Sequence, residues 1–274
     1  MSKNVVIYAT CQGTSLAQVL TDTPSFVERF SFPYIIINAT YIRQRRSITE
    51  DMVNLSQLKD ADVFIYQPID NIHGNNSSDY LMQFLKPICV KISIPYVYND
   101  SLWPFIHAKR GDITDNWFED IDTPLLKYTE PIKELITSRI AKDDILTLFD
   151  RNEIDWNFKS RHEILMGYLR NKEKNMDVKV VDYIEENLSL KRLFMYYSHP
   201  SAEVIVYMAN KILQLLEISP NNTVYPEDFF FSERYLFPTS SVNYFNLKFV
   251  SDEERTIADK YYKDIIIELF YGKI

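Results

Sequence analysis

The 274-residue sequence is short of glycine, cysteine and positive charge, and each shortage removes a class of function. Five glycines argue against glycine-rich loops that wrap phosphates. Two cysteines, Cys11 and Cys89, supply neither a disulfide framework nor a zinc quartet. No His, Cys and carboxylate cluster has ligand spacing, so no metal is expected. Thirty Lys and Arg against 38 Asp and Glu leave a formal charge of −8, which argues against a nucleic-acid partner. No apolar run reaches the length of a membrane span. The first apolar stretch carries no basic leader and no cleavage site, so a soluble, cytoplasmic protein is expected. What the chain does have is a 46% hydrophobic content with 19 tyrosines and 17 phenylalanines, enough for a large, aromatic-rich core.

Short β-rich runs come first: Asn4–Thr10, Pro33–Ala39, Asp62–Gln67 and Cys89–Pro95. Between them, TSLAQVLTD, LSQLKDA and SDYLMQFLK place apolar residues at helical spacing. Strands alternating with helices predict an α/β fold, with a parallel sheet in the N-terminal half and a mostly helical C-terminal half. The expected division is an α/β domain over residues 1–123 and a mostly helical domain over 124–274. Within the latter, Pro200–Leu216 is apolar almost all round and predicts a buried helix. The tail predicts an amphipathic helix, with Ile257, Tyr261, Ile265 and Leu269 on one stripe and Ala258, Tyr262, Ile266 and Phe270 beside it. Pro220–Phe245 has no clear period and reads as an ordered loop or lid.

Ligands of parallel sheets gather at the carboxyl ends of the strands. Cys11 lies just past the first strand and Gln67 at the end of the third. A cysteine at a strand-to-helix turn gains from the positive end of the helix dipole, which favours the thiolate. Gln12 adds an amide donor, Gly13 permits close backbone approach, and Thr14 or Ser15 can cap the helix. Inert packing of a small thiol explains Cys11 equally well, and is the better reading for Cys89 in its strand. Of four histidines, His199 stands out: it precedes Pro200 at or near the start of the buried helix, tethered as a general base must be. His107 could line a pocket, His73 is expected at the surface, and for His162, in a helix beside Arg161 and Glu163, an ordinary surface charge cluster is an adequate explanation. Basic clusters at Arg43, Arg45 and Arg46 and at Lys109 and Arg110 follow strand ends; either is a solvated face or a phosphate site. Trp103, Phe105 and Tyr96 could stack on a base or sugar, with core packing as the default.

Five blocks occur in order: TCQGTSLAQVL, DVFIYQPI, ISIPYVYNDSLWPF, RHEI followed by DVKVVDYI, and LFMYYSHPSAEVIVYMANKILQLL. Together they resemble the WcbI-type polysaccharide biosynthesis acetyltransferases of bacterial capsule pathways, over roughly residues 4–216. The resemblance implies an α/β domain with a helical domain, binding of coenzyme A or acetyl-coenzyme A as donor, and O-acetyl transfer to a carbohydrate acceptor. The family's Cys-Gln falls on Cys11 and Gln12, its Gln-Pro-Ile on Gln67, Pro68 and Ile69, its arginine on Arg161, and its His-Pro on His199 and Pro200. The chain departs from the family at Ala9, where a glycine is usual, and Pro220–Ile274 matches no block. The expected catalytic residues are Cys11, His199 and Gln12. Gly13, Thr14, Gln67, Arg43, Lys109, Arg110 and Arg161 are expected to bind the donor. Two further readings fit the same residues. One is a thiol-dependent esterase with water as acceptor, the other a non-catalytic glycan-binding module in which Cys11 only packs.

Overall fold

The computed structural model describes residues 2–109, 124–225 and 228–273. The strands β1 (Val5–Ala9), β2 (Tyr34–Ile37), β3 (Val63–Tyr66) and β4 (Val90–Ser93) pair in parallel in the order β2-β1-β3-β4. Helices α1 (Gln12–Thr21) and α2 (Pro24–Val27) link β1 to β2. Helices α3 (Asn38–Gln44) and α4 (Met52–Asp60) link β2 to β3, and α5 (Ser78–Met82) links β3 to β4. Strands β5 (Ile106–Lys109) and β6 (Pro124–Lys127) form a separate antiparallel pair. Helices then dominate: α6 (Glu130–Thr137), α7 (Lys142–Asp150), α8 (Phe158–Glu173), α9 (Val181–Asn187), α10 (Ala202–Leu215), α11 (Thr239–Phe245) and α12 (Asp252–Phe270). This is the α/β class expected, with a parallel sheet followed by a mainly helical remainder. The β5-β6 pair was not anticipated.

The chain forms two compact units. The first gathers residues 1–98, 169–184 and 199–231, and the second residues 99–168, 185–198 and 232–274.

In the first unit both faces of the central strands β1 and β3 are covered, which is why these two read as unbroken apolar runs rather than alternating ones, whereas the edge strand β4 carries the exposed Lys91. Val6, Tyr8, Ile36 and Phe64 pack on one side with Ile48, Leu58, Leu81 and Leu85. On the opposite side Ile7 and Ala9 meet Gly13 of α1, which in turn packs on α10. A Cβ at Gly13 would sit 2.9 Å from the Ala9 Cβ, so glycine sets the approach of α1 to β1. The close approach that Gly13 allows is to the strand beneath it. The buried Tyr8 hydroxyl donates to the Asn76 carbonyl at 2.6 Å, and Asp177 accepts from both the N–H and the hydroxyl of Ser93. These bonds pin flanking segments to the sheet.

In the second unit Trp103 is fully buried and stacks on Phe237, with ring centroids 5.1 Å apart, while Phe105 meets Trp156 and Tyr262. Both are core residues, as the default predicted. In α12 the buried stripe is Ala258, Tyr262, Ile265, Ile266 and Leu269, whereas Ile257 and Tyr261 are exposed. The Pro220–Phe245 stretch is not one loop: it holds a 3-10 turn at Phe231–Glu233 and then α11.

Candidate functional site

The order β2-β1-β3-β4 means that the chain leaves β1 toward one side and returns on the other. The carboxyl ends of β1 and β3 therefore flank the switch point where parallel sheets bind ligands. Cys11 and Gln12 follow β1 there, and Gln67 follows β3. Gln67 is only 2% exposed. Its Oε1 accepts from the Thr10 N–H at 2.8 Å, and its Nε2 donates to Gln12 Oε1 at 3.2 Å and to the Pro95 carbonyl at 3.3 Å. Gln12 is equally buried and grips the Val97 backbone at two points. Its Nε2 donates to the carbonyl at 2.7 Å, and its Oε1 accepts from the N–H at 3.1 Å. The two glutamines thus tie together the ends of β1 and β3 and the segment after β4. A buried amide network of this kind holds one geometry, because every alternative strands a polar group.

On this frame Cys11 occupies the position before α1, in helical backbone geometry, with its thiol exposed. Its Sγ lies 3.3 Å from His199 Nε2, across 188 residues of chain. The His199 ring is held face to face against Phe230, with centroids 4.3 Å apart and planes 8° from parallel. Asp228, two residues earlier, accepts from the Ala202 N–H at 2.5 Å and so ties that segment to the start of α10. His199 lies two residues ahead of the N-cap position of α10, which Ser201 occupies with no side-chain cap hydrogen bond, and Pro200 precedes that position instead of opening the helix. Neither Thr14 nor Ser15 caps α1, whose cap position is Cys11 itself, with no side-chain cap hydrogen bond. Thr14 is exposed on the first turn.

Among the buried polar atoms near these elements, Thr10 Oγ1, Asn38 Nδ2 and Ser201 Oγ have no hydrogen-bond partner among the described residues. Thr10 and Asn38 follow the adjoining ends of β1 and β2, where Ala9 pairs with Ile37. Such orphans commonly mark where a ligand supplies the missing partner. Arg43, Arg45 and Arg46 are exposed at the same carboxyl edge, in and just after α3.

Arg161 belongs to the second unit. Its guanidinium donates to the carbonyls of Asp100 (2.7 Å), Trp103 (2.8 Å), Pro104 (2.9 Å) and Trp156 (3.3 Å), and lies 3.7 Å over the Tyr128 ring. The fold uses it there as a brace for the 100–104 loop. Lys109 ends β5 in the second unit, and Arg110 lies outside the described residues. His162 is half-buried, not a surface residue: its Nδ1 is 3.0 Å from the Ser101 hydroxyl, and burial lowers its pKa. Cys89 is buried just before β4, and burial raises its pKa, which makes it a poor nucleophile. No group of three or more His, Cys, Asp or Glu among the described residues could hold a metal ion. Phe230 went unremarked in the sequence because nothing in its aperiodic stretch indicates which ring it faces. The aromatic density there was the only signal.

The family described as polysaccharide biosynthesis enzyme WcbI matches residues 4–221 of the chain. A solved structure is similar over 98% of this chain and 94% of its own, with a TM-score of 0.70 at 16% identity. It is presented as WcbI, a novel polysaccharide biosynthesis enzyme, in its native form without a disulfide bond between coenzyme A and one of its cysteines. No curated protein matches the chain.

Proposed function

The chain belongs to the WcbI family of polysaccharide biosynthesis enzymes, and from that premise we propose that it is an acyl-coenzyme A dependent O-acyltransferase. The acyl group is acetyl and the acceptor is a sugar hydroxyl. The observation that carries this reading is the 3.3 Å contact between an exposed thiol and a stacked imidazole at the switch point of the sheet. That solved relative is described in terms of coenzyme A and one of its cysteines, which agrees with a donor thioester brought to Cys11. The residues suit such a donor: an exposed thiol at a helix start, the unpartnered Thr10 Oγ1 and Asn38 Nδ2 at the adjoining strand ends, and three exposed arginines for phosphate on the same edge.

His199 Nε2 takes the thiol proton, and Cys11 Sγ attacks the thioester carbonyl. The coenzyme thiolate leaves and takes the proton back from His199, so that Cys11 holds the acyl group as a thioester. The exchange is nearly balanced in energy, because one thioester replaces another. The sugar hydroxyl then gives its proton to Nε2, its oxygen attacks the carbonyl, and the Cys11 thiolate leaves and is reprotonated. The positive end of α1 stabilises the thiolate in both halves. Gln12 and Gln67 act as positioning residues, since their amides hold the turn that carries Cys11. Acyl-coenzyme A donors place the reaction in the cytoplasm. Among the described residues no helix is long and apolar enough to cross a membrane.

The test is calorimetric titration with coenzyme A and acetyl-coenzyme A, together with intact-mass spectra of wild type and Cys11→Ala. Saturable binding, with an acetyl adduct on the wild type alone, is expected. Binding without an adduct would replace the covalent route by direct transfer with His199 as base. Free acetate released without any acceptor would identify an esterase, and absence of binding would overturn the acyltransferase reading.

A further inference from the structure

The second unit contains a cavity of about 650 Å³ that has no residue in common with the Cys11 site. Its base is apolar and its rim polar, and the sequence produces this by alternation. Ile154, Trp156 and Phe158 are buried, while Asn152, Asp155 and Asn157 between and before them are exposed. Asn152 and Asn157 both adopt positive φ, at 55° and 54°, a conformation asparagine tolerates better than most residues. The Asn157 N–H donates to the Asp155 carboxylate at 2.8 Å, which fixes the rim. Opposite these, α11 contributes Ser240, Asn243 and Tyr244. Tyr244 is 47% exposed and leans on Phe158 with ring centroids 5.2 Å apart. Ser240 is 7% exposed, and its hydroxyl has no hydrogen-bond partner among the described residues.

We infer that this cavity binds a short stretch of neutral saccharide. A sugar ring presents an apolar C–H face and a rim of hydroxyls. It is held by an aromatic surface together with amide, carboxylate and hydroxyl groups that can donate and accept. Tyr244 supplies the aromatic surface, and Asn152, Asn157 and Asn243 supply amides. Asp155 and Glu163 accept from hydroxyls, and Ser240 supplies the unpartnered group. The Tyr244 hydroxyl is protonated at neutral pH and able to donate, and burial and the charges of Glu163 and Asp155 push its pKa further up. The charge balance selects against phosphates and acidic sugars: among the described residues of the lining, Lys159 is the one cation against two carboxylates, and it lies 4.0 Å from Glu163. The volume suits a few sugar rings. The inference goes beyond the acyltransferase reading and does not depend on it: the site would hold glycan whatever chemistry occurs at Cys11.

The experiment is saturation-transfer NMR on the full chain with maltotriose, mannotriose and galactotriose, with glucuronic acid as the charged control. At least one neutral trisaccharide is expected to bind, and Tyr244→Ala is expected to weaken it about tenfold, equivalent to 1.4 kcal/mol. Asn243→Ala, at an exposed position that leaves the core intact, is expected to weaken it as well. Cys11→Ser is expected to bind like the wild type, which separates this site from the reaction. Failure of all three trisaccharides, equal binding by Tyr244→Ala and Asn243→Ala, or a preference for glucuronic acid would each overturn the inference.

Discussion

At the scale of single residues, a proton-accepting imidazole matters only while it is held against its partner. Phe230 does this for His199 by stacking, and His199→Gln is expected to lower the turnover of acetyl transfer about 10²–10⁴-fold while coenzyme A still binds. Gln67 has a different kind of effect. Gln67→Ala strands the buried Thr10 N–H, and the expected cost is about 1–3 kcal/mol of stability, read as a lower denaturant midpoint with unchanged slope. The positions of Cys11, Gln12, Gln67 and His199 at element ends were legible because strand runs and the proline after His199 mark those ends in one dimension. That Gln12 and Gln67 bond to each other, and to the backbone of Val97 and Pro95, was not legible. Those contacts cross 28 to 85 residues and depend on side-chain direction. His162 misled for a related reason. Its charged neighbours Arg161 and Glu163 suggest a surface, yet Arg161 is turned onto main-chain carbonyls and His162 onto Ser101.

At the scale of elements, α1 rests on β1 at van der Waals distance only because residue 13 lacks a side chain. Gly13→Ala must move the helix, since the obstructing atom is the Ala9 Cβ and not the end of a flexible chain. The expected loss is about 1–3 kcal/mol, with slower alkylation of Cys11 as the reporter of a displaced turn. Helix α4 shows how an element end can be sensitive to acid. Asp51 caps it, and the Asn54 N–H, joined by the Val53 N–H and the Tyr41 hydroxyl, lowers its pKa against the opposing effect of burial. Because the folded value lies below the ordinary Asp value of about 3.9, this stabilisation is complete above that pH and is lost as pH falls through the folded value. The stability gap between wild type and Asp51→Ala should therefore be constant from neutral pH to about pH 5 and narrow in stronger acid. Thermal unfolding across that range checks it. Four parallel strands were readable from their short β-rich runs. The β5-β6 pair was not, because PLLK is short and lies among helical patterns.

At the scale of the whole molecule, the chain passes through each compact unit in three separate segments, so neither unit is continuous in sequence. A chain ended at residue 198 keeps all four strands of the parallel sheet but loses α10, which packs on α1, and with it His199. Such a truncation should expose the α1 face, bind a hydrophobic dye and fail to unfold cooperatively. A sharp calorimetric transition from that fragment would refute the expectation. The same arrangement orders events in time. The 188 residues between Cys11 and its imidazole take roughly 10–40 s to synthesise at about 5–20 residues per second. Throughout that interval the thiol exists without the imidazole that lies 3.3 Å from it in the folded chain, so the pair is assembled only after most of the chain has been made.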